Sequence, residues 1–426
     1  MKTRAFATVA LISVMTSACS ENKQSLKVTQ VEQQQTSSYS PNPVDVKRLQ
    51  ETKQCPGCNL AGADLSSANL KKANLQGADL RAANLSGANL SQVNLTGADL
   101  RQANLSKTNL QGAKLTGVQL NWSGDSPNTR ANLRQADLSK ANLITAYLRG
   151  ADLSEANLSG AYLHATDLNQ AILVKANLSK ADLAGVKLSN ADLTNANMQY
   201  ATMLGVSLNG ANLSNANLQY ANLESASLIK ANLNSANLNK TRLFLAKLDG
   251  ANLSGANLSG ANLFTATLPN AELSNANMQK AYLHSAELTK ANLSNVNLIQ
   301  SDLSAALLNG ANLSNASLKG SNLKRSSLTG ANLSNVNLQG ANLQGADLTE
   351  ANLTQADMTT TNLAQAYLTK TDLGSANLQG ATLNGAKLSG ANLKNTNLKN
   401  VVGFNQPSII SDGQQSGLHT SPNHHN

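Results

Sequence analysis

Between residues 58 and 398 the chain repeats one five-residue phrase, as Ala-Asn-Leu-Ser-Gly, Ala-Asp-Leu-Ser-Lys or Ala-Asn-Leu-Gln-Gly. Every fifth residue from 60 to 120 is Leu, thirteen in all, and the spacing resumes from 133 to 398 over fifty-four positions, with Met only at 198, 203, 278 and 358. That makes sixty-seven units. Two residues before each Leu (position i) stands a small side chain at i−2, usually Ala, elsewhere Val186, Thr241, Ser321 or Ser326.

A period of five fits neither the 3.6 of a helix nor a free-standing strand of period two. Repetition this strict specifies a solenoid, in which each unit packs only on its neighbours. Positions i−2 and i point inward, and the polar residues at i−1, i+1 and i+2 point out. One unit cannot close a core, but units that turn a corner bring successive Leu side chains round a common axis. Stacked coils then pair at a strand spacing of about 4.8 Å. Aromatics at 3 % and charged residues at 13 % are too few for an ordinary globular core, which agrees with one elongated domain.

The phrase A-[DN]-L-x-x, as in Ala63-Asp64-Leu65 and Ala251-Asn252-Leu253, resembles the pentapeptide repeat family of bacteria. The resemblance covers residues 55–400. It implies an all-β fold, a right-handed quadrilateral parallel β-helix with four repeats and twenty residues per coil. On that count the array holds about seventeen coils.

The ends read differently. Residues 1–19 look like an export signal, with Lys2 and Arg4, a mostly apolar run over 5–14, and Met15-Thr16-Ser17-Ala18-Cys19. The run is too short to span a bilayer. Small residues before Cys19 resemble a bacterial lipobox, although Thr16 departs from it. Lipid on Cys19 would give a periplasmic, membrane-anchored lipoprotein; ordinary cleavage after Ala18 would give a soluble periplasmic or secreted one. Residues 20–54, rich in Gln, Ser, Thr and Lys with Pro41 and Pro43, read as a flexible polar linker.

Cys55-Pro56-Gly57-Cys58 places Cys55 at an i position and Cys58 at an i−2 position, both facing the first coil. The pair fits buried thiols, a disulfide closing the N-terminal end, a redox dithiol, or half of a zinc site that lacks a second Cys pair and a nearby His. After Leu120 the next Leu in register is Leu133, thirteen residues on instead of ten, so residues 121–130, with the chain's one Trp at 122, contain an insertion. Beyond Leu398 the period stops, Val401-Val402-Gly403-Phe404 is expected to fold over and cap the last coil, and 401–426 ends in a disordered tail containing His419, His424 and His425.

No catalytic constellation, cofactor site or metal site emerges. Asp alternates with Asn at the outward i−1 position as part of the repeat, so Asp64, Asp79, Asp99 and Asp137 are not acid–base pairs, and Gly recurs as the filler of the corner slot i+2. Contact is the better prospect. With twenty residues per coil, Ile144, His164, Leu204, Phe244, Phe264 and His284 fall in one i+1 column, beside Tyr162, Arg242 and Tyr282 at i−1. At the adjoining corner, Lys180, Tyr200, Tyr220, Lys240 and Lys280 form an i+2 column. A patch of this mixed character is typical of an interaction surface, and a C2 homodimer would use the same self-complementary face.

The resemblance also brings a specific mechanism, since some pentapeptide proteins imitate DNA and bind gyrase. Such mimicry needs a strongly negative surface. Between 59 and 398 there are twenty-five Lys and Arg against nineteen Asp and Glu, a net of +6. That balance and the export signal argue against a gyrase-binding DNA mimic, and sparse Lys argues against nucleic acid as partner. The reading is a non-enzymatic exported protein acting as a protein-binding scaffold or structural element at the cell envelope, with a gyrase- or topoisomerase-binding DNA mimic and a redox enzyme working through Cys55 and Cys58 as the alternatives.

Overall fold

A computed structural model describes residues 39–121 and 130–404. Each repeat contributes one residue to a parallel bridge with the repeat twenty residues on, as in Asn212 with Asn232 and Asn232 with Asn252. Four such ladders run side by side, starting at Gln54, Asn59, Asp64 and Asn69. The coil is therefore four-sided, as the resemblance implied, and the bridged residue is the i−1 residue of every unit.

The unit over 231–235 shows why the chain folds this way. Ala231 N donates to Leu228 O (3.0 Å) to close a β-turn, and Ser235, the second central residue of the next turn, takes a left-handed φ of 55°. Asn232 N donates to Ala211 O (2.9 Å), while Leu233 N and Ser235 N donate to Asn252 O (2.6 Å) and Ser254 O (3.0 Å). Four of the five amides are thus satisfied by backbone. The fifth, Asn234 N, donates to Oδ1 of Asn232 at 3.2 Å. The Asx side chain at i−1 completes the accounting that a packed backbone requires.

The polar residues do not all stand in solvent, as the repeat pattern by itself predicts. In 231–235, Ala231 and Leu233 are buried, Asn232 and Asn234 half-buried, and only Ser235 exposed. Nor are Asn and Asp equivalent at i−1. Both accept the i+1 amide, but only Asn also donates along the ladder, as Asn232 Nδ2 does to Asn212 Oδ1 at 3.0 Å. In the unit with Ser227 at i−1, the preceding coil substitutes: Ile229 N donates to Asn209 Oδ1 at 3.0 Å. Thr at the buried i−2 position is likewise satisfied, Thr241 Oγ1 donating to Leu218 O at 3.0 Å.

The expected flexible linker over 20–54 is corrected at its C-terminal end. Residues Pro43–Thr52 form helix α1, with Asn42 as N-cap (its Oδ1 accepts Val44 N at 2.9 Å), Pro in the first turn, and Lys53 closing the end in the left-handed region. Asn-Pro is a strong start signal that polar composition obscured. Leu49 of α1 is fully buried in the same core cluster as Cys55, Cys58 and Leu60. The helix covers the first coil, whose open edge is otherwise a template for pairing.

The array departs from expectation at two more places. Asn104 bridges to Asn132, a step of 28 against 20, so the insertion after Leu120 is eight residues long and costs the coil no side. At the other end Val402 does not fold over; it continues the ladder by bridging to Thr382, while Val401 and Phe404 rest half-buried on the core. The segments over 1–38, 122–129 and 405–426, with Cys19, Trp122 and the tail histidines, lie outside the described residues.

Candidate interaction face

The ladder from Asn142 through Tyr162, Asp182, Thr202, Asn222, Arg242 and Asn262 to Tyr282 is unbroken, so the i+1 residues of that side stand one above another. Phe244 and Phe264 lie 5.5 Å apart, tilted by 31°, and Phe264 stacks on His284 at 5.3 Å and 15°. At the corner, Tyr200 and Tyr220 stack at 5.1 Å and 8°, and Lys240 Nζ lies 5.6 Å from the Tyr220 ring centroid. Offset or stacked aromatic pairs of this kind contribute about 0.5–1.5 kcal/mol beyond area burial. They also hold the rings in place before any partner arrives.

Beside the Phe ridge lies an open groove of about 650 Å³. Thr241, Gly260 and Asn262 line it together with Phe244, Phe264 and His284, and Lys240, Arg242, Tyr282 and Asp302 complete its border. Tyr282 is 58 % and Phe264 38 % exposed, so both are available to a partner. Arg242 pairs with Glu224 at 3.1 Å, with its own side chain 61 % exposed, a contact of small energetic weight that orients the guanidinium.

Ser304 Oγ donates to Asp302 Oδ1 at 2.6 Å and lies 2.7 Å from His284 Nδ1. With the hydroxyl proton committed to Asp302, His284 Nδ1–H is the group that donates to Ser304 Oγ. Ser304 is therefore not placed as a nucleophile beside a base.

The structure divides the predicted stripe. Lys180, then Tyr200 with Leu204, then Tyr220 lie on three successive coils leading to the groove, but Ile144, Tyr162 and His164 lie several coils away from it; His164 and His284 share a column without meeting. Lys280 stands at the same corner two coils beyond Lys240. Leu245, exposed at the corner after Phe244, lies outside the predicted stripe, although its i+2 slot marks it as outward. Tyr147, Leu307 and Tyr367 add exposed apolar surface on the next side, outside the predicted stripe.

At the N-terminal end Cys55 and Cys58 form a disulfide, and both are buried. Above them the carboxylates of Asp79 and Asp99 occupy adjacent rungs. Arg81 Nη2 meets Asp79 Oδ2 at 2.6 Å and Arg101 Nη2 meets Asp99 Oδ2 at 2.5 Å, while Arg81 lies over the Tyr39 ring at 5.0 Å. The Arg81 hydrogen bond holds the Asp79 carboxyl below the usual carboxylate range, against partial burial. Each Arg at i+1 is paired with the Asp at i−1 of its own unit, and no acid–base pair results.

The sequence pattern described as pentapeptide repeats matches residues 57–87, 83–121, 129–164, 161–199, 207–243, 246–284, 256–295, 286–325, 326–365 and 361–400. Among solved structures, HetL, a pentapeptide repeat protein involved in heterocyst differentiation regulation from the cyanobacterium Nostoc sp. strain PCC 7120, is 33 % identical, covering 52 % of this chain and 91 % of its own at a TM-score of 0.22. Rfr23 from the cyanobacterium Cyanothece 51142 is 38 % identical over 29 % of this chain and 64 % of its own, with a TM-score of 0.13. QnrB1, a plasmid-mediated fluoroquinolone resistance protein, is 19 % identical over 41 % of this chain and 88 % of its own, with a TM-score of 0.34. No protein of curated function matches the chain.

Proposed function

Because this chain belongs to the pentapeptide-repeat family, we propose that it is a non-enzymatic binding scaffold that engages a protein partner through the groove between the Phe244–Phe264–His284 ridge and the Lys240–Arg242 border. The observation that carries this reading is the preformed groove itself: aromatic rings already stacked, cations at its border and a polar floor. Preorganised aromatic anchors flanked by charge are what hot spots require. Lys2, Arg4, the apolar run and Cys19 support a scaffold held at the bacterial envelope, tethered by lipid on Cys19.

Replacing Phe244 and Phe264 together with Ser tests the face. Neither carries the core, so circular dichroism and melting stay close to wild type, while cross-linked partner recovery from envelope extracts is expected to fall at least tenfold. Equal recovery from the folded double variant would remove the reading. Fractionation of wild type beside Cys19→Ala, with the attached lipid detected by mass, tests the tether. A full-length chain found unmodified in the cytosol would instead favour the gyrase alternative, against which the net positive repeat array stands.

A further inference from the structure

We propose that the Cys55–Cys58 pair, once reduced, joins Asp45 in a binding site for a thiophilic divalent cation such as Zn²⁺, which takes the place of the disulfide and, unlike it, ties α1 to the first coil. The sequence offered only half of such a site. Folding supplies a third donor, because α1 brings the Asp45 carboxylate to the pair: one ligand atom from each of Asp45, Cys55 and Cys58 lies within 4.8 Å of the other two.

The donor set suits the ion. Zn²⁺ takes thiolates at about 2.3 Å and carboxylate oxygen at about 2.0–2.2 Å in tetrahedral sites, with water able to fill a fourth position. Asp45 Oδ2 accepts Asn59 N at 2.9 Å, which orients the carboxylate and leaves Oδ1 for the ion. Both cysteines sit on one β-turn, Cys58 N donating to Cys55 O at 3.3 Å, with Gly57 at a φ of 66°. Cys55 Sγ also lies 3.3 Å from the Asp45 carbonyl oxygen. In the disulfide this is a contact without a proton; in the dithiol the Cys55 S–H donates there. The fold thus has a place for the reduced state.

The chemistry balances. A small dithiol reductant gives two electrons and two protons to the Cys55–Cys58 bond and becomes a disulfide itself; Zn²⁺ then binds the two thiolates and releases the two thiol protons. Oxidised and metal-loaded forms exclude each other, so both close the end of the coil under different redox conditions.

The test is Zn²⁺ titration of the full chain before and after treatment with a dithiol and its removal, followed by Co²⁺ substitution. Reduced wild type is expected to take up one ion more than the oxidised protein, to show thiolate-to-cobalt charge-transfer bands, and to lose at least tenfold in affinity in Asp45→Asn. Cys55→Ser/Cys58→Ser, which keeps Cys19, is expected to lose the extra ion. Uptake that is equal in oxidised and reduced protein reports other donors such as the C-terminal histidines and overturns the proposal. So does undiminished uptake by the double Ser variant, unchanged affinity in Asp45→Asn, or a disulfide that reduces only when the chain unfolds.

Discussion

Asn232 donates its side-chain amide to Oδ1 of Asn212 at 3.0 Å, twenty residues earlier in the chain and one coil away in space, while Asn212 Oδ1 also accepts Ser214 N at 3.2 Å. Each Asn therefore does two jobs, closing its own unit and joining the next coil. A side chain that seemed to belong to the repeat's exposed grammar is part of what fixes coil on coil.

Asn232→Ala removes three bonds: Asn234 N to Asn232 Oδ1, Asn232 Nδ2 to Asn212 Oδ1, and Asn252 Nδ2 to Asn232 Oδ1 at 3.4 Å. The loss is expected to be about 1 kcal/mol per bond, and in a solenoid it is felt locally. Amide hydrogen exchange checks it within a single unit. The Asn234 amide, bonded to the Asn232 side chain, should lose protection, while the Ala231 amide, bonded to Leu228 O, keeps it. Equal protection at Asn234 in the variant would show that the side-chain bond contributes nothing there.

Arg81→Gln leaves the Asp79 and Asp99 carboxylates on adjacent rungs with one guanidinium fewer. Asp79 has its pKa lowered in the folded state, so its stabilisation is fully present above the ordinary carboxylate value and is lost as pH falls through the folded pKa. The variant is expected to raise the Asp79 pKa, measured by carboxyl NMR titration, and to flatten the loss of stability on acidification. An Asp79 titration unmoved by the change would show that Arg81 is not its partner in solution.

Gly62→Ala and Gly97→Ala place the same methyl group in the same left-handed i+2 slot, at different corners of the coil and in different surroundings. At Gly62 the new Cβ would sit 2.7 Å from Tyr39 O, whereas at Gly97 nothing lies within 4 Å. Gly97→Ala is expected to cost only the left-handed strain, about 1 kcal/mol. Gly62→Ala must also displace Tyr39, so limited proteolysis should cut within residues 39–54 sooner in this variant than in Gly97→Ala.

Leu49→Asp tests α1 as a cover. A charge at a fully buried position cannot stay in the core cluster, so the helix is expected to detach and leave the first coil open. Concentration-dependent association by light scattering, stronger than in the wild type, is the outcome that edge pairing requires. A variant that associates no more than the wild type, with α1 protected, would contradict it.

Much of this was legible in the residues. Leu at i and Ala at i−2 are inside because the five-residue period repeats the same inward geometry in every unit, and the twenty-residue column of Phe244, Phe264 and His284 followed from four units per coil. The grouping was readable; the contacts were not. Register places Phe244, Phe264 and His284 on consecutive coils and His164 four coils before Phe244, but whether neighbouring rings stack depends on side-chain torsions, which only the structure shows. Asn at i−1 was visible at repeat after repeat, but its bond to the next coil appears only when residues twenty apart are brought together.

The sequence by itself determined the solenoid, its inside and its outside, because those depend on a period fixed by the covalent chain. Only the tertiary structure decided that residues 43–52 become a helix over the open end, that the insertion spans eight residues, and that Asp45 reaches the Cys55–Cys58 pair. The reason is physical: burial repeats with the local period, whereas a cap, a register step and a three-residue cluster arise from surfaces that exist only after the coils have stacked.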